Sequence, residues 1–246
     1  MPDQIRIGIT GATGFIGRNL QQEAATRPEL LTIACPREAF EHPAQLQRFV
    51  ASCDAVVHLA AVSRHADGTH LYNVNMNLVR NLIAAMTATA ATPHVLFAST
   101  THEARDTPYH ASKRDGRRLL DAWAEENGGR HTTLLLPNAF GPYGKPFYNS
   151  VTATFCRQLA DGETPQILTD APVRLIYIRE LCRAIIGVIV GAIATTGNVY
   201  SPSHRYEVKV SELLARLQKL AAGGKPDTEV PLEKDLAATL AFYRHH

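Results

Sequence analysis

The chain has 246 residues, 45% of them hydrophobic and 20% charged, with a formal net charge of +2. This composition supports a full core in one large or two small domains, and the scattered, near-balanced charge gives no reason to expect nucleic acid or an anionic membrane as partner. No apolar run reaches the roughly 18 residues of a membrane span, and the N-terminus enters a strand-like segment without a basic and then apolar leader, so a cytoplasmic protein is expected.

In chain order, short aliphatic runs alternate with helical patterns. Residues 5–10 read as a strand and 15–25 as a helix; 30–35 as a strand and 44–51 as a helix; 55–59 as a strand and 71–88 as a helix. A strand at 94–99 precedes a helix over 109–126, which Gly128-Gly129 ends, and 132–136 is a fifth strand. Uninterrupted aliphatic strands suit a parallel sheet buried on both faces, and strand-then-helix order implies right-handed crossovers. After Pro137 the texture changes. Gly141-Pro142-Tyr143-Gly144-Lys145-Pro146 marks an irregular segment, followed by a helix at 151–159, a strand at 174–178 and helices at 179–190 and 211–221. The expected fold is α/β, a Rossmann-type doubly wound parallel sheet over residues 1–140 with a small C-terminal substrate-binding subdomain over 141–246, together one structural unit.

The first strand runs into Gly11-Ala12-Thr13-Gly14-Phe15-Ile16-Gly17. Here Gly11 permits a sharp turn, Gly14 lets a pyrophosphate approach the main chain, and Gly17 lets the helix pack closely on the sheet. Amides at the helix start, among Thr13, Phe15 and Ile16, then bind phosphate. At the end of the second strand an acid normally holds the adenosine ribose of NAD, and this chain has Cys35-Pro36-Arg37. Arg37 can hold a 2′-phosphate by charge-assisted hydrogen bonds, so NADP (NADPH) is the expected cofactor, with NAD the second choice.

The second motif is Tyr109-His110-Ala111-Ser112-Lys113. Tyr109 and Lys113 share one helical face, where a tyrosine can exchange a proton with a substrate oxygen beside a nicotinamide. An unperturbed tyrosine titrates near 10, and the Lys113 charge can lower that value while its donors hold the nicotinamide ribose. Thr100 or Ser99, at the strand end, can polarise the reacting carbonyl. Catalysis is assigned to Thr100, Tyr109 and Lys113.

These residues resemble the extended short-chain dehydrogenase/reductase family, which acts on nucleotide-activated sugars. The resemblance extends to Asp54-Ala55-Val56-Val57-His58-Leu59-Ala60-Ala61, Asn73-Val74-Asn75 and Pro137-Asn138-Ala139-Phe140-Gly141-Pro142. It implies that Leu59, Ala60 and Ala61 line the cofactor, that Asn73 stabilises the active-site helix, and that Pro137 and Asn138 touch nicotinamide and sugar. The family's strand-end hydroxyl falls on Thr100, with Ser99 beside the cofactor. A narrower resemblance, from Phe147-Tyr148-Asn149-Ser150-Val151-Thr152-Ala153-Thr154-Phe155-Cys156 and Glu233-Lys234-Asp235-Leu236, is to the reductase domain of capsular polysaccharide enzymes that reduce a UDP-2-acetamido-2,6-dideoxy-4-ketohexose with NADPH. Those enzymes carry a C-terminal metal-binding cupin domain, for which this chain has no residues after His246, so reduction alone is implied. Leu135 stands where the family often has Arg, no Gly-Asp pair precedes Asp54, and the diphosphate-binding Arg is displaced to Arg174.

Substrate contacts are expected from Arg64, Thr100, Thr101, Asn138, Tyr148, Asn149 and Arg174. His102, Glu103 and His110 lack the i, i+4 spacing of a helical metal site, and reduction needs no ion, so no metal is expected. Cys35, Cys53, Cys156 and Cys182 form no Cys-x-x-Cys pair and are expected as buried, reduced thiols. The family resemblance also implies a homodimer through the helices at 71–88 and 109–126. The expected reaction is hydride transfer from NADPH to a nucleotide-activated 4-keto-6-deoxysugar. The alternatives are an epimerase or dehydratase on the same fold, against which Thr101-His102 replaces a dehydratase's acidic pair, and a catalytically silent NADP-sensing protein.

Overall fold

The computed structural model describes residues 4–246. In chain order the first elements are β1 (Ile5–Thr10), α1 (Phe15–Ala24), β2 (Leu30–Ala34), α2 (Pro43–Ala51), β3 (Ala55–His58), α3 (Gly68–Thr89), β4 (His94–Thr100), α4 (Pro108–Asn127) and β5 (Arg130–Leu136). There follow β6 (Asn138–Phe140), α5 (Val151–Ala160), β7 (Pro172–Tyr177), α6 (Ile178–Ile189), β8 (Val199–Tyr200), β9 (Tyr206–Lys209), α7 (Val210–Ala221) and α8 (Pro231–His245). Up to β5 every expected element is present, with ends within three residues of expectation.

The chain divides into two units, the first running to Leu136 and resuming over Ala184–Pro202, the second comprising Pro137–Arg183 and Ser203–His246. A continuous division at residue 140 was expected. Residues 184–202 belong instead with the first unit, because β8 pairs with β5 (Thr133↔Val199, Leu134↔Tyr200) and supplies a sixth strand.

The first unit is a doubly wound parallel sheet of order β2-β1-β3-β4-β5-β8. β3 is buried along its length, and Ile7, Ile9, Val56, Val95 and Leu96 are fully buried, which is why these strands read as unbroken aliphatic runs. α3 turns Leu71, Met76, Val79, Leu82 and Met86 inward at helical spacing. α4 begins at Thr107, whose hydroxyl accepts from His110 N, has Pro108 in its first turn, and stops at Gly128 in the left-handed region (φ 61°). Gly116 lets α4 press onto the sheet, since a Cβ there would lie 3.1 Å from Phe97 and 3.2 Å from Val79.

The second unit holds a three-stranded sheet, with β7 parallel to β6 and antiparallel to β9. α5, α7 and α8 pack together. Leu232, Leu236, Leu240 and Tyr243 form the buried stripe of α8, and the Tyr243 hydroxyl donates to the Gly144 carbonyl. β6, β8, β9 and α8 were not expected from the sequence. The three strands are two to four residues long, too short for a period to register. All four cysteines are buried and unbridged, and burial pushes the Cys35 and Cys156 thiols up to about 12, so they are held protonated and inert. No helix among the described residues is long and apolar enough to cross a membrane.

Candidate active site

The sheet order reverses at β1, whose neighbours are β2 on one side and β3 on the other. Such a switch point leaves a crevice at the carboxyl ends of the strands, and the glycine turn lies there. Gly11 has φ +70°, and a Cβ on it would stand 3.0 Å from the Ala60 amide nitrogen, so only glycine lets the turn pass under the Leu59-Ala60 segment. A Cβ on Gly17 would meet the Gly11 carbonyl at 2.4 Å. Gly14 is the N-cap of α1, donates to Gly11 O at 3.0 Å, and offers no side chain to the opening amides of the helix. Thr13 and Gly14 are exposed, and Phe15 and Ile16 half-buried. The cradle therefore fits a pyrophosphate: small, open, and headed by a helix N-terminus. Thr10 joins its two halves. Its Oγ1 accepts from the Ala60 amide at 3.2 Å and meets His58 Nδ1 at 2.8 Å.

Arg37 lies just past β2, exposed, at the start of a single 3-10 turn. β2 and β1 run in register with Ile9 beside Ala34, so Arg37 sits at the carboxyl edge next to the glycine turn. Exposed Glu38 follows directly.

At the end of β4, Ser99 is buried and Thr100 half-buried, and Thr100 Oγ1 accepts from the His102 amide at 3.2 Å. Half-buried Tyr109 and buried Lys113 stand one turn apart on α4, with Lys113 Nζ 5.6 Å from the Tyr109 ring centre and 4.9 Å from that of Phe97. Burial lowers the Lys113 ammonium to about 8, an effect that Glu103 opposes. Burial, reinforced by Lys113, pulls His58 down to about 3, so this ring is neutral. His58 stacks on Phe97 at 5.9 Å, and its Nε2 has no hydrogen-bond partner among the described residues.

The asparagine that steadies the helix is Asn75, not Asn73. Asn75 is buried; its Oδ1 accepts from Val62 N at 2.8 Å, while its Nδ2 donates to Val62 O at 2.9 Å and Ser112 Oγ at 3.1 Å. Ser112 in turn donates to the Tyr109 carbonyl at 2.7 Å. Asn73 is exposed, because two residues along a helix turn the side chain by about 200°. Helical spacing carried the signal, since Asn75 falls four residues after buried Leu71 and four before buried Val79.

A pocket of about 540 Å³ is lined by Ser63, Arg64, His65, Leu71, Pro108 and Tyr109, so Arg64 and Tyr109 share one cavity. Asp67 caps α3 beneath it, accepting from Thr69 N and His70 N. Leu59 and Ala60 are half-buried and Ala61 exposed at the mouth of β3; Thr101 is exposed, its amide donating to Leu136 O. Pro137, Asn138, Tyr148, Asn149 and Arg174 belong to the second unit. There Arg174 is 66% exposed and pairs with Glu207 at 3.1 Å. Glu103 and His110 are engaged by Ser99 and Thr107, and no group of three metal-ligating side chains occurs among the described residues.

Residues 7–191 match the NAD dependent epimerase/dehydratase family. The UDP-2-acetamido-2,6-beta-L-arabino-hexul-4-ose reductase of Pseudomonas aeruginosa is 28% identical over 96% of this chain, which spans 63% of that protein. Among solved structures, the capsular polysaccharide assembling protein CapF of Staphylococcus aureus is 28% identical with a TM-score of 0.83, over 97% of this chain and 65% of that one. RMD from Pseudomonas aeruginosa, solved with NADPH, has a TM-score of 0.81 over 98% of this chain and 99% of its own, and at 22% identity it speaks to the fold alone. With the family match covering most of its length and a glycine cradle at the switch point, this chain belongs to the NAD dependent epimerase/dehydratase family.

Proposed function

We propose that this chain is a cytoplasmic reductase that passes a hydride from NADPH to the 4-keto carbon of a nucleotide-linked 6-deoxysugar, with Tyr109 giving the proton. One observation carries the reading: Lys113 Nζ lies 5.6 Å from the Tyr109 ring centre, in the unit that also holds the glycine turn. The names of two relatives support it, a 4-ulose reductase and a capsular polysaccharide assembling protein, each 28% identical.

Gly11, Thr13, Gly14, Phe15, Ile16 and Gly17 would cradle the cofactor diphosphate, Arg37 the 2′-phosphate, and Leu59, Ala60, Ala61, Ser99, Pro137 and Asn138 the remainder. When bound, the nicotinamide supplies the hydride. Thr100 Oγ1 already accepts from the His102 amide, so its own hydrogen is available to polarise the keto oxygen. Tyr109 donates its phenolic proton to the alkoxide, and the nearby ammonium of Lys113 favours the phenolate that remains. The Asn75–Ser112–Tyr109 hydrogen bonds anchor the backbone of the α4 turn that carries both side chains. Arg64, Thr101, Tyr148, Asn149 and Arg174 are the proposed substrate contacts. A homodimer through α3 and α4 completes the proposal, since Ile83, Thr87, Leu119 and Trp123 line a groove of about 440 Å³ that an isologous pairing would cover.

Tyr109→Phe tests the reading. NADPH binding should stay nearly intact while turnover of a 4-ketosugar falls about 10²-fold or more, the usual scale for general acid catalysis. Unchanged turnover, with a substrate the wild type reduces, would end this assignment.

A further inference from the structure

Glu103 has no part in the reaction as described, yet its carboxylate is folded back under its own loop. Ser99 Oγ donates to Glu103 Oε1 at 2.5 Å, and Arg117 Nη1 lies 3.5 Å from Oε2. Arg114 fixes the same loop by donating to the Glu103 and Arg105 carbonyls. Both arginines belong to α4, and Arg117 follows Lys113 by four residues, on the same helical face.

The strand brings the two charges together. Residues two apart on a strand share a face, so Phe97 and Ser99 point to the same side of β4. Lys113 Nζ stands 4.9 Å from the Phe97 ring centre, while the Glu103 carboxylate is bonded to Ser99. Ammonium and carboxylate thus lie against neighbouring side chains of one face, Phe97 and Ser99, which a strand spaces about 7 Å apart. Lys113 is 4% exposed, and an ammonium so buried is costly without an opposite charge. It is faced by neutral His58 from β3, by Phe97 from β4 and by Tyr109 from its own helix, with Arg117 one turn on. Among these neighbours Glu103 alone brings negative charge.

We propose that Glu103 is the built-in counter-charge of Lys113, a positioning residue that keeps the active-site ammonium protonated while Ser99 aims the carboxylate. The use made of that charge rests on the reductase reading; the pairing itself does not. It also gives Ser99 a task separate from that of Thr100: Thr100 faces the substrate, and Ser99 holds the carboxylate.

The test follows the lysine ¹³Cε resonances of the full chain against pH, without cofactor or substrate. The other lysines, Lys145, Lys209, Lys219, Lys225 and Lys234, are all exposed, and Lys113→Met identifies the remaining signal. Wild-type Lys113 should titrate at about 8. Glu103→Gln keeps an oxygen for Ser99 and removes the charge, and should lower that midpoint by about one pH unit. Glu103→Asp keeps the charge and should stay closer to wild type. A Glu103→Gln midpoint equal to wild type overturns the proposal, as does a Glu103→Asp midpoint that falls as far as that of Glu103→Gln, which would mark the side chain as a loop anchor only. Because nothing is turned over in this measurement, its failure leaves the reductase reading to its own test, and the converse holds.

Discussion

Lys113→Met should make the protein more stable while it ruins the site. The Lys113 ammonium is 4% exposed, and burial draws its titration from 10.5 down to about 8. Below about 8 the lysine is charged in both the folded and unfolded chain, and the folded chain bears the full cost of the buried charge. As pH rises from 8 to 10.5 the unfolded chain holds the proton more tightly than the folded one, so stability climbs, and above 10.5 both forms are neutral and the cost is gone. At about 1.4 kcal/mol per pH unit, that cost at neutral pH is ~3 kcal/mol. Methionine keeps an unbranched side chain over the Phe97 ring and carries no charge, so about 2 kcal/mol of added stability should survive imperfect packing.

Urea unfolding of both chains at pH 7 and pH 10.5 measures this. The variant should lead clearly at pH 7 and lose that lead by pH 10.5, where its packing loss of about 1 kcal/mol remains. A Lys113→Met chain less stable than wild type at pH 7, or a gap that does not change with pH, would refute the account of Lys113 as a charge held at a cost. Turnover must go the other way, as expected where a site stores unfavourable electrostatics for use in catalysis.

Cofactor preference is the next expected outcome: NADPH should bind at least tenfold more tightly than NADH, a gap of about 1.4 kcal/mol, and Arg37→Asp should reverse the order. Equal affinities by fluorescence titration would remove Arg37 from the ribose. Asn75→Ala leaves both Val62 backbone groups without their partner and removes one of the two hydrogen bonds of Ser112 Oγ, which should cost about 2–3 kcal/mol in unfolding free energy and raise proteolysis between β3 and α3. The matching change at exposed Asn73 should cost less than about 0.5 kcal/mol, and equal costs at the two positions would contradict the assignment.

Legibility in this chain follows how locally each feature is encoded. The β1-turn-α1 segment and the Tyr109-to-Lys113 turn are complete within a few residues, so periodicity and glycine placement sufficed to find them. Asn75 was equally local, and the buried stripe of α3 separates it from Asn73 by one turn's geometry. The stripe Leu232, Leu236, Leu240 and Tyr243 likewise encodes α8, although Pro231 at its start and the polar residues between made it easy to pass over. Two-residue β8 is a different case, existing only because β5 offers an edge, and nothing in Val199-Tyr200 alone distinguishes a strand from a loop. The same holds for charge. Glu103 and Lys113 are ten residues apart across an irregular loop, where no spacing rule applies. What joins them is the alternation of β4, which puts Phe97 and Ser99 on one face, and the press of α4 at Gly116, which lays Lys113 on that face. The glycine turn and the Tyr109–Lys113 pair are therefore encoded in short runs, whereas the group proposed to set the lysine's charge reaches its place only where the sheet and α4 pack.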